Sequence, residues 1–358
     1  MNTSPRLEST VLPPKSIAPH LAGVWRQWCD HAPALSRAFL SFGFVSAAAE
    51  VLPDVRVAVI SEQGQPRCFF PFHYVSAFHA AIGWAQPCAH GMSDAFGLVA
   101  APGFSIHPQA LLKAAGINYI YFDHLLDSQN QFGLTGEFSR LGHLIVLDGG
   151  PRQFWEDLRA RDRSFIQDTA RRQRQLENQF GPLSLTLSSS PADLDALIAA
   201  KRRQYASTGV ADPLAPPWSR RLLHVLHQSA DPQCRPMLSI LSAGSSWIAS
   251  HFGLRLGARL HYWFPAYNPE FRRYAPGRLL LKAIIDHSVE LGISVIDRGE
   301  GDSTAKRDLA NAAQSFAIGV WNRSNLPSTL AAALQSASWR LRRGILRPAT
   351  PSPREPRS

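Results

Sequence analysis

Between residues 236 and 267 the chain alternates apolar and polar positions in three runs, 236–241, 247–256 and 259–267, parted by Ala243-Gly244-Ser245 and Gly257-Ala258. A period of two broken by tight turns predicts an antiparallel meander. The period then changes. Leu279, Leu280, Ala283, Ile284, His287 and Leu291 recur at helical spacing up to Gly292, which predicts a helix. A short strand at 293–296, a helix at 305–313 and a last strand at 316–321 follow. The step from 259 to 296 reads strand, helix, strand, so its two strands are expected to lie parallel and make the sheet a mixed one.

Upstream, the pattern predicts helices at 21–29 and 35–51. A hairpin of 55–60 with 67–74 turns around Glu62-Gln63-Gly64-Gln65. Then come an apolar run at 96–99, a helix at 107–115 and a strand at 119–122. One long helix, 153–178, is expected to stop before Gly181-Pro182. It leads to a strand at 183–188 and helices at 192–207 and 218–229. The reading is an α/β fold built on a mixed sheet. It falls into two blocks, 21–150 and 151–325, after a disordered N-terminal segment of residues 1–20. A helix at 326–345 and a disordered basic tail at 346–358 close the chain. The length of 358 residues agrees, since it exceeds what one hydrophobic core usually fills.

Composition narrows the class without naming it. Hydrophobic residues make up 45% and charged residues 18%, as in folded globular chains. Apolar runs such as Leu279-Leu280-Leu281 fall far short of the roughly 20 residues of a membrane span, and residues 1–19 lack the apolar core of a secretory signal. The expectation is a cytoplasmic protein. Cys29, Cys68, Cys88 and Cys234 are scattered, which predicts buried free thiols. None of the 13 histidines stands at metal-ligand spacing, and no metal site is predicted.

The formal net charge is +10, and the six arginines and one glutamate of residues 339–358 supply half of it. A second cluster, 159–174, sets six arginines against Asp162 and Asp168. It reads either as a solvated helix face or as a surface for an anionic partner, and nucleic acid is not the expected one.

The candidate chemistry gathers at the entry to the 279–291 helix. A helix N-terminus carries unpaired N–H groups and partial positive charge, which suit a phosphate. Arg272, Arg273 and Arg278 crowd this one, Pro276 fits the first helical position, and Gly277 permits close approach of a ligand. The alternative is an ordinary Pro-Gly helix start with exposed arginines. Gly299-Glu300-Gly301 matches neither a dinucleotide nor a P-loop fingerprint, because Thr304 stands where a third glycine is required. Asp297 and Lys306 flank that loop, either as a pinning salt bridge or as groups that position a substrate. His251 and His261 are candidate bases, or else neutral core histidines.

These residues carry a resemblance. His261-Tyr262-Trp263-Phe264-Pro265-Ala266-Tyr267-Asn268-Pro269 and Tyr274-Ala275-Pro276-Gly277, then Asp297, Gly299, Gly301, Asp302 and Lys306 in register, resemble GNAT-superfamily acyltransferases of the bacterial CelD/BcsL type, linked to cellulose and exopolysaccharide biosynthesis. The likeness covers about 150–322 and extends more weakly to Phe69-Phe70-Pro71-Phe72 and 93–98. Tandem GNAT-like domains also resemble the FemABX aminoacyl transferases. The resemblance implies two GNAT-like domains, each a mixed sheet flanked by helices. It implies transfer of an acyl group, acetyl foremost, from acyl-CoA to an amine or hydroxyl of a sugar or glycan precursor. Arg272, Arg273, Tyr274, Ala275, Gly277 and Arg278 would hold the CoA pyrophosphate, Asp297 and Lys306 would shape the acceptor site, and His251 or His261 would act as base. Ala305 departs from the pattern, which has tyrosine there. That departure leaves open a non-catalytic scaffold in a polysaccharide-synthesis complex, and the FemABX resemblance, with the 159–174 arginine cluster, leaves open an aminoacyl transferase. For the scaffold, residues 326–358 offer a peripheral contact with the inner face of the membrane or with a synthase. Leu330, Leu334, Leu341 and Ile345 lie near one face of that helix, with Arg340, Arg342 and Arg343 in its last turns.

Overall fold

The computed structural model describes residues 7–345. In chain order the first half runs β1 (Leu7–Leu12), α1 (Pro19–His31), α2 (Phe42–Val51), β2 (Asp54–Glu62), β3 (Gln65–Tyr74), α3 (Ala77–Ala81), β4 (Trp84–Pro87), β5 (Val99–Ala100), α4 (Pro108–Ala115), β6 (Tyr119–Leu126) and β7 (Phe138–Val146). The second half runs α5 (Gly150–Arg161), α6 (Arg163–Phe180), β8 (Leu183–Ser188), α7 (Pro191–Thr208), α8 (Pro217–His227), β9 (Arg235–Ala243), β10 (Ser246–Leu256), β11 (Arg259–Tyr267), α9 (Pro276–Asp286), β12 (Val295–Glu300), α10 (Thr304–Arg307), β13 (Ala312–Asn322) and α11 (Leu326–Ile345).

The strands join into one mixed sheet in the order β1-β2-β3-β4-β6-β13-β7-β12-β11-β10-β9-β8, with β5 beside β3. Each half repeats one scheme. An antiparallel meander (β2, β3, β4; then β9, β10, β11) is followed by a helix and a parallel strand, β6 beside β4 and β12 beside β11. The closing strands are then exchanged. β7 leaves the first half to pair with β12, while β13 of the second half pairs with β6, and β7 and β13 pair with each other at the centre. The halves are therefore tandem repeats of a mixed sheet flanked by helices, joined through shared backbone hydrogen bonds. One core cluster packs α9, α5 and α6 against one face of the second half, and a larger one fills the first half and reaches under α7 and α8.

The meander, the crossover and the parallel pairing of β11 with β12 agree with the alternation in the sequence. Several boundaries do not. Residues 7–20, expected to be disordered, hold β1 and the start of α1, because β1 pairs with β2 from Leu7↔Glu62 to Leu12↔Val57. The predicted helix 35–51 is a short 3-10 turn followed by α2, whose first turn is capped by the Ser41 hydroxyl accepting the Phe44 N–H. The long helix 153–178 is two helices. Asp162 breaks it, because its carboxylate accepts the Phe165 N–H at 2.9 Å and so starts a new helix. The helix 305–313 shrinks to α10, because the Asn311 side chain pairs with both backbone groups of Val146 and draws the chain into β13. The tail 346–358 lies outside the described residues.

All four cysteines are free and buried, as expected. α11 seats Ala331 against Trp84 and Tyr119 and leaves Leu326, Leu330 and Leu334 exposed. Among the described residues no helix is long and apolar enough to cross a membrane.

Asp162→Ala removes the cap between α5 and α6, and a lower urea unfolding midpoint is expected, with the folded circular dichroism spectrum unchanged.

Candidate functional site

β11 and β12 pair only at Arg259↔Val295, Leu260↔Ile296 and His261↔Asp297. Beyond that rung they part. Two local devices separate them. On β12 the Asp297 carboxylate accepts the Gly299 N–H at 2.9 Å, and Gly299 takes a left-handed φ of 65°. A side chain there would be strained, and its Cβ would also lie 2.8 Å from an Asp94 oxygen. On β11 there is a bulge. The register with β10 moves from Phe252↔Phe264 to Leu254↔His261, so β11 carries one extra residue around Tyr262 and Trp263. The bulge lets Tyr262, Pro265 and Tyr267 line the same cavity.

That cavity, about 360 Å³, occupies the gap between the parted strands. Its walls are Phe165 of α6, Gln204 of α7, Arg298 of β12, Ala305 of α10 and the turn Ala275–Arg278 that opens α9, with Arg272 before it. Ala275 caps α9 in a left-handed conformation, φ 55° and ψ 57°, a strain of roughly 1 kcal/mol for a residue with a Cβ. The amides of Arg278 and Leu279 already bond to the Ala275 carbonyl, at 2.9 and 3.1 Å, and Pro276 has none. Gly277 is left to face a ligand, and a Cβ placed on it meets nothing within 4 Å.

The six residues expected to hold a pyrophosphate divide. Arg272, Ala275, Gly277 and Arg278 line the cavity together with Pro276. Arg273 and Tyr274 do not. Arg273 bonds to Gln179 of α6 at 2.8 Å and stacks on Tyr274, and both face a separate hollow beside Arg171 and Gln175. Arg278 has its own counter-ion: Asp168 lies 3.0 Å away, and the guanidinium sits over the Phe165 ring. Asp168 is held down to about 2, chiefly by the hydrogen bond from Arg172. An anion does offset the cation at this helix start, but α6 supplies it.

Three buried polar atoms on cavity residues lack a hydrogen-bond partner: Gln204 Oε1, Tyr262 Oη and Arg298 Nε. Such atoms are rare in folded proteins because each costs about 1–3 kcal/mol unmet. Ala305 also lines this cavity, so the tyrosine of the resemblance would have projected a phenol here.

His251 is not placed to act as a base. It is fully buried, its Nδ1 lies 3.2 Å from Ser239 Oγ, and its Nε2 accepts the Trp263 N–H at 3.2 Å. Burial, with His261 nearby, pushes it down to about 3. The neutral ring satisfies the amide that the bulge removes from the ladder, and Tyr262 stacks on it at 4.1 Å.

On the opposite side of the β11–β12 gap, both halves contribute to one polar chain. His261 Nε2 lies 2.8 Å from Asp94 Oδ2, and His124 Nε2 stands 3.9 Å from Asp94 Oδ1 and 3.4 Å from Glu300. Asp123 bonds His124 from the other side at 2.8 Å, and Arg140 pairs with Glu300 at 3.0 Å. Burial alone would lower His124, but the Asp123 hydrogen bond and the charges of Asp94, Asp123 and Glu300 raise it to about 9. Burial opposes ionisation of Asp94, yet His261, His124 and Lys306 hold it below the usual carboxylate range. The resemblance at 93–98 contained Asp94 without giving it a role, and no motif singled out His124; their contacts to His261 and Glu300 come from the other half.

Asp297 and Lys306 do not pair directly. Asp297, 3% exposed, accepts from Gly299 and from Gln314 (2.7 Å) and faces Arg37 at 3.7 Å and Arg259 at 3.5 Å. Lys306 Nζ instead donates to the carbonyls of Glu300 and Gly299, at 2.5 and 3.5 Å. Both pin the loop. Burial lowers Lys306, against the pull of Asp94.

A family model for the acetyltransferase (GNAT) domain matches residues 163–307. Comparison with curated protein sequences gives no match. Among solved structures the chain is similar to FemX, with a TM-score of 0.58 and 10% identity over 88% of this chain and 98% of that one. It is also similar to a conserved protein of unknown function from Bacteroides thetaiotaomicron, with a TM-score of 0.52 and 10% identity over 84% and 98%. A tandem GNAT protein from the clavulanic acid biosynthesis pathway is more remote, with a TM-score of 0.43 and 12% identity over 92% and 94%. At these identities the likeness is one of fold.

Two outcomes follow for the polar chain. Asp297→Asn leaves two buried guanidiniums without their carboxylate, and a loss of about 3–5 kcal/mol is expected by urea unfolding. The His124 imidazolium favours the folded state, so its contribution is complete below pH 6.5 and disappears as pH rises through about 9. At most about 3 kcal/mol is involved. Unfolding at pH 6, 8 and 10 should show that decline, and His124→Gln should flatten it.

Proposed function

We propose that this protein transfers an acyl group, acetyl foremost, from acyl-CoA to an amine or hydroxyl of a sugar or glycan precursor. The cavity between the parted strands β11 and β12 carries this reading: a helix N-terminus stands at one end, with Gly277 and Arg272 in its lining. The pantetheine arm would enter the gap and the pyrophosphate would meet the Gly277 amide and Arg272, with the nucleotide outside. Arg278, neutralised by Asp168, would shape the wall more than bind charge.

The acceptor would approach from the Asp94–His124–Glu300 side. Its nitrogen or oxygen forms the new bond to the acyl carbon, the C–S bond breaks with its electron pair passing to sulfur, and the acceptor's proton passes to the base. The His261–Asp94 pair is the candidate for that base, with His124 and Glu300 as polar contacts for the acceptor. Lys306 holds the 299–300 loop in shape.

The aminoacyl-tRNA alternative draws less support. Much of the basic cluster at 159–174 is engaged within the protein: Arg161 bonds to the carbonyls of Asp308 and Ala310, and Arg171 and Arg172 pair with Asp168. For a scaffold in a polysaccharide-synthesis complex, the exposed leucines of α11 would be the contact at the inner face of the membrane.

Calorimetric titration with acetyl-CoA tests the donor. Micromolar binding is expected for the wild type. Gly277→Leu should weaken it by at least tenfold, since an isobutyl group there enters the cavity. Removing a helix glycine should also leave the fold as stable or about 0.5–1 kcal/mol more stable. Wild-type protein that binds no acyl-CoA would overturn the reading.

A further inference from the structure

The sheet ends in β1 on one side and β8 on the other. β8 pairs with β9 from Leu183↔Ala243 to Ser188↔Leu238, and among the described residues no strand lies along its other side. The Gly244 N–H bonds to the Pro182 carbonyl at 3.1 Å, so Pro182 faces β9 and fixes the alternation that follows. Ser184, Thr186 and Ser188 turn their backbone groups to β9, while Leu183, Leu185 and Leu187 turn theirs outward. Edge strands commonly carry charges or a proline that stop another chain from adding to them. β1 carries Glu8. β8 holds neither device, and residues 180–192 include no charged residue at all.

The side chains follow the same alternation. Leu183 and Leu185 pack against the core cluster that holds α9, and Leu187, on the same face, is left 56% exposed. Ser184 and Thr186 are exposed on the opposite face. Such a strand, laid antiparallel to a copy of itself about a two-fold axis at Leu185, finds a match at every position. Leu185 meets Leu185 and Leu187 meets Leu183 in hydrogen-bonded pairs, each exchanging both N–H···O=C bonds, and Ser184 meets Thr186 between them. We propose that β8 is a homodimer interface, at which two copies of this chain join edge to edge and continue the sheet across the axis.

A second copy is favoured over an unrelated strand because β8 is its own complement in hydrogen bonds, in side-chain size and in charge. Each chain has a formal net charge of +10, so two copies repel each other least where the contact itself is neutral. An isologous pairing also closes on itself: once two β8 edges have met, no further edge of that kind is left to recruit a third copy. In the pair, Leu183 of the second copy covers the exposed Leu187. Held from one side only, β8 frays more readily than the strands inside the sheet, and the second copy holds it from both. The pairing does not depend on the acyl-CoA reading.

Sedimentation equilibrium of the full chain should show a monomer–dimer equilibrium. Hydrogen exchange should show the outward amides of Leu183, Leu185 and Leu187 gaining protection as concentration rises. Leu187→Glu changes an exposed position and acts twice in a symmetric pair, so it should weaken the dimer by about tenfold. Cysteines then read the register without touching the core. Thr186→Cys mixed with Ser184→Cys should give a disulfide-linked dimer on mild oxidation. Either variant alone should not, because residue 184 lies opposite 186 and neither lies opposite itself. The four native cysteines are buried and leave the background low. A monomer at every concentration would overturn the proposal and leave the edge to water or to another protein. A dimer indifferent to Leu187→Glu, or one that the mixed cysteine variants fail to cross-link, would overturn it as well, since such a dimer uses another face.

Discussion

The arrangement of the site depends on one buried carboxylate. Asp297 accepts the Gly299 N–H, and an amide turned toward its own strand is lost to the neighbouring one. Pairing with β11 therefore stops at Asp297, and the pairing of β12 with β7 slips at the same place. The gap that results is the cavity. The same carboxylate accepts from Gln314 on β13 and faces Arg37 and Arg259. Arg37 is brought down to about 10, first by burial and then by Arg259, with Asp297 opposing both. A charge this deep is tolerated only because several partners converge on it, and those partners come from both halves of the chain.

That convergence follows from the exchange of closing strands. With β13 between β6 and β7, the ends of β6 and β12 lie near each other, and His124 of one meets Glu300 of the other. Asp94, in the loop after β4, reaches His261 on β11. A sheet of two independent halves would leave these groups on separate surfaces. Here they form one continuous polar chain beside the gap, with acid, imidazole and guanidinium groups alternating.

Neighbouring residues of one strand then take unlike environments. His261 and Asp297 turn to the polar chain, while Tyr262 and Arg298, one step along, turn to the cavity. The bulge keeps Pro265 and Tyr267 on the cavity side as well. The cavity wall and one set of titratable groups thus sit on opposite sides of the same gap. Ala305, where a tyrosine was expected from the resemblance, leaves more of that gap open.

The meander, the helix after it and the parallel step were legible because their hydrophobic periods are local: three alternating runs between tight turns, then Leu279, Leu280 and Ile284 on one helical face. The helix start with Pro276 and Gly277 was legible for the same reason. β7 was not, because Phe138, Ser139, Arg140 and Leu141 are all exposed and its hydrogen bonds come from β12 and β13. Nor was the short α10, since only the contact of Asn311 with Val146 ends it. His251 and His261 look alike in sequence. The extra residue at Tyr262 and Trp263 separates their roles, giving one the bulged amide to cap and the other a carboxylate from the first half. The sequence by itself determined the second-half meander, the helix after it and the turn that opens that helix, because propensity and period act within a few residues. Only the tertiary structure decided which side chains meet, because strand exchange and strand parting are set by hydrogen bonds between segments far apart in the chain.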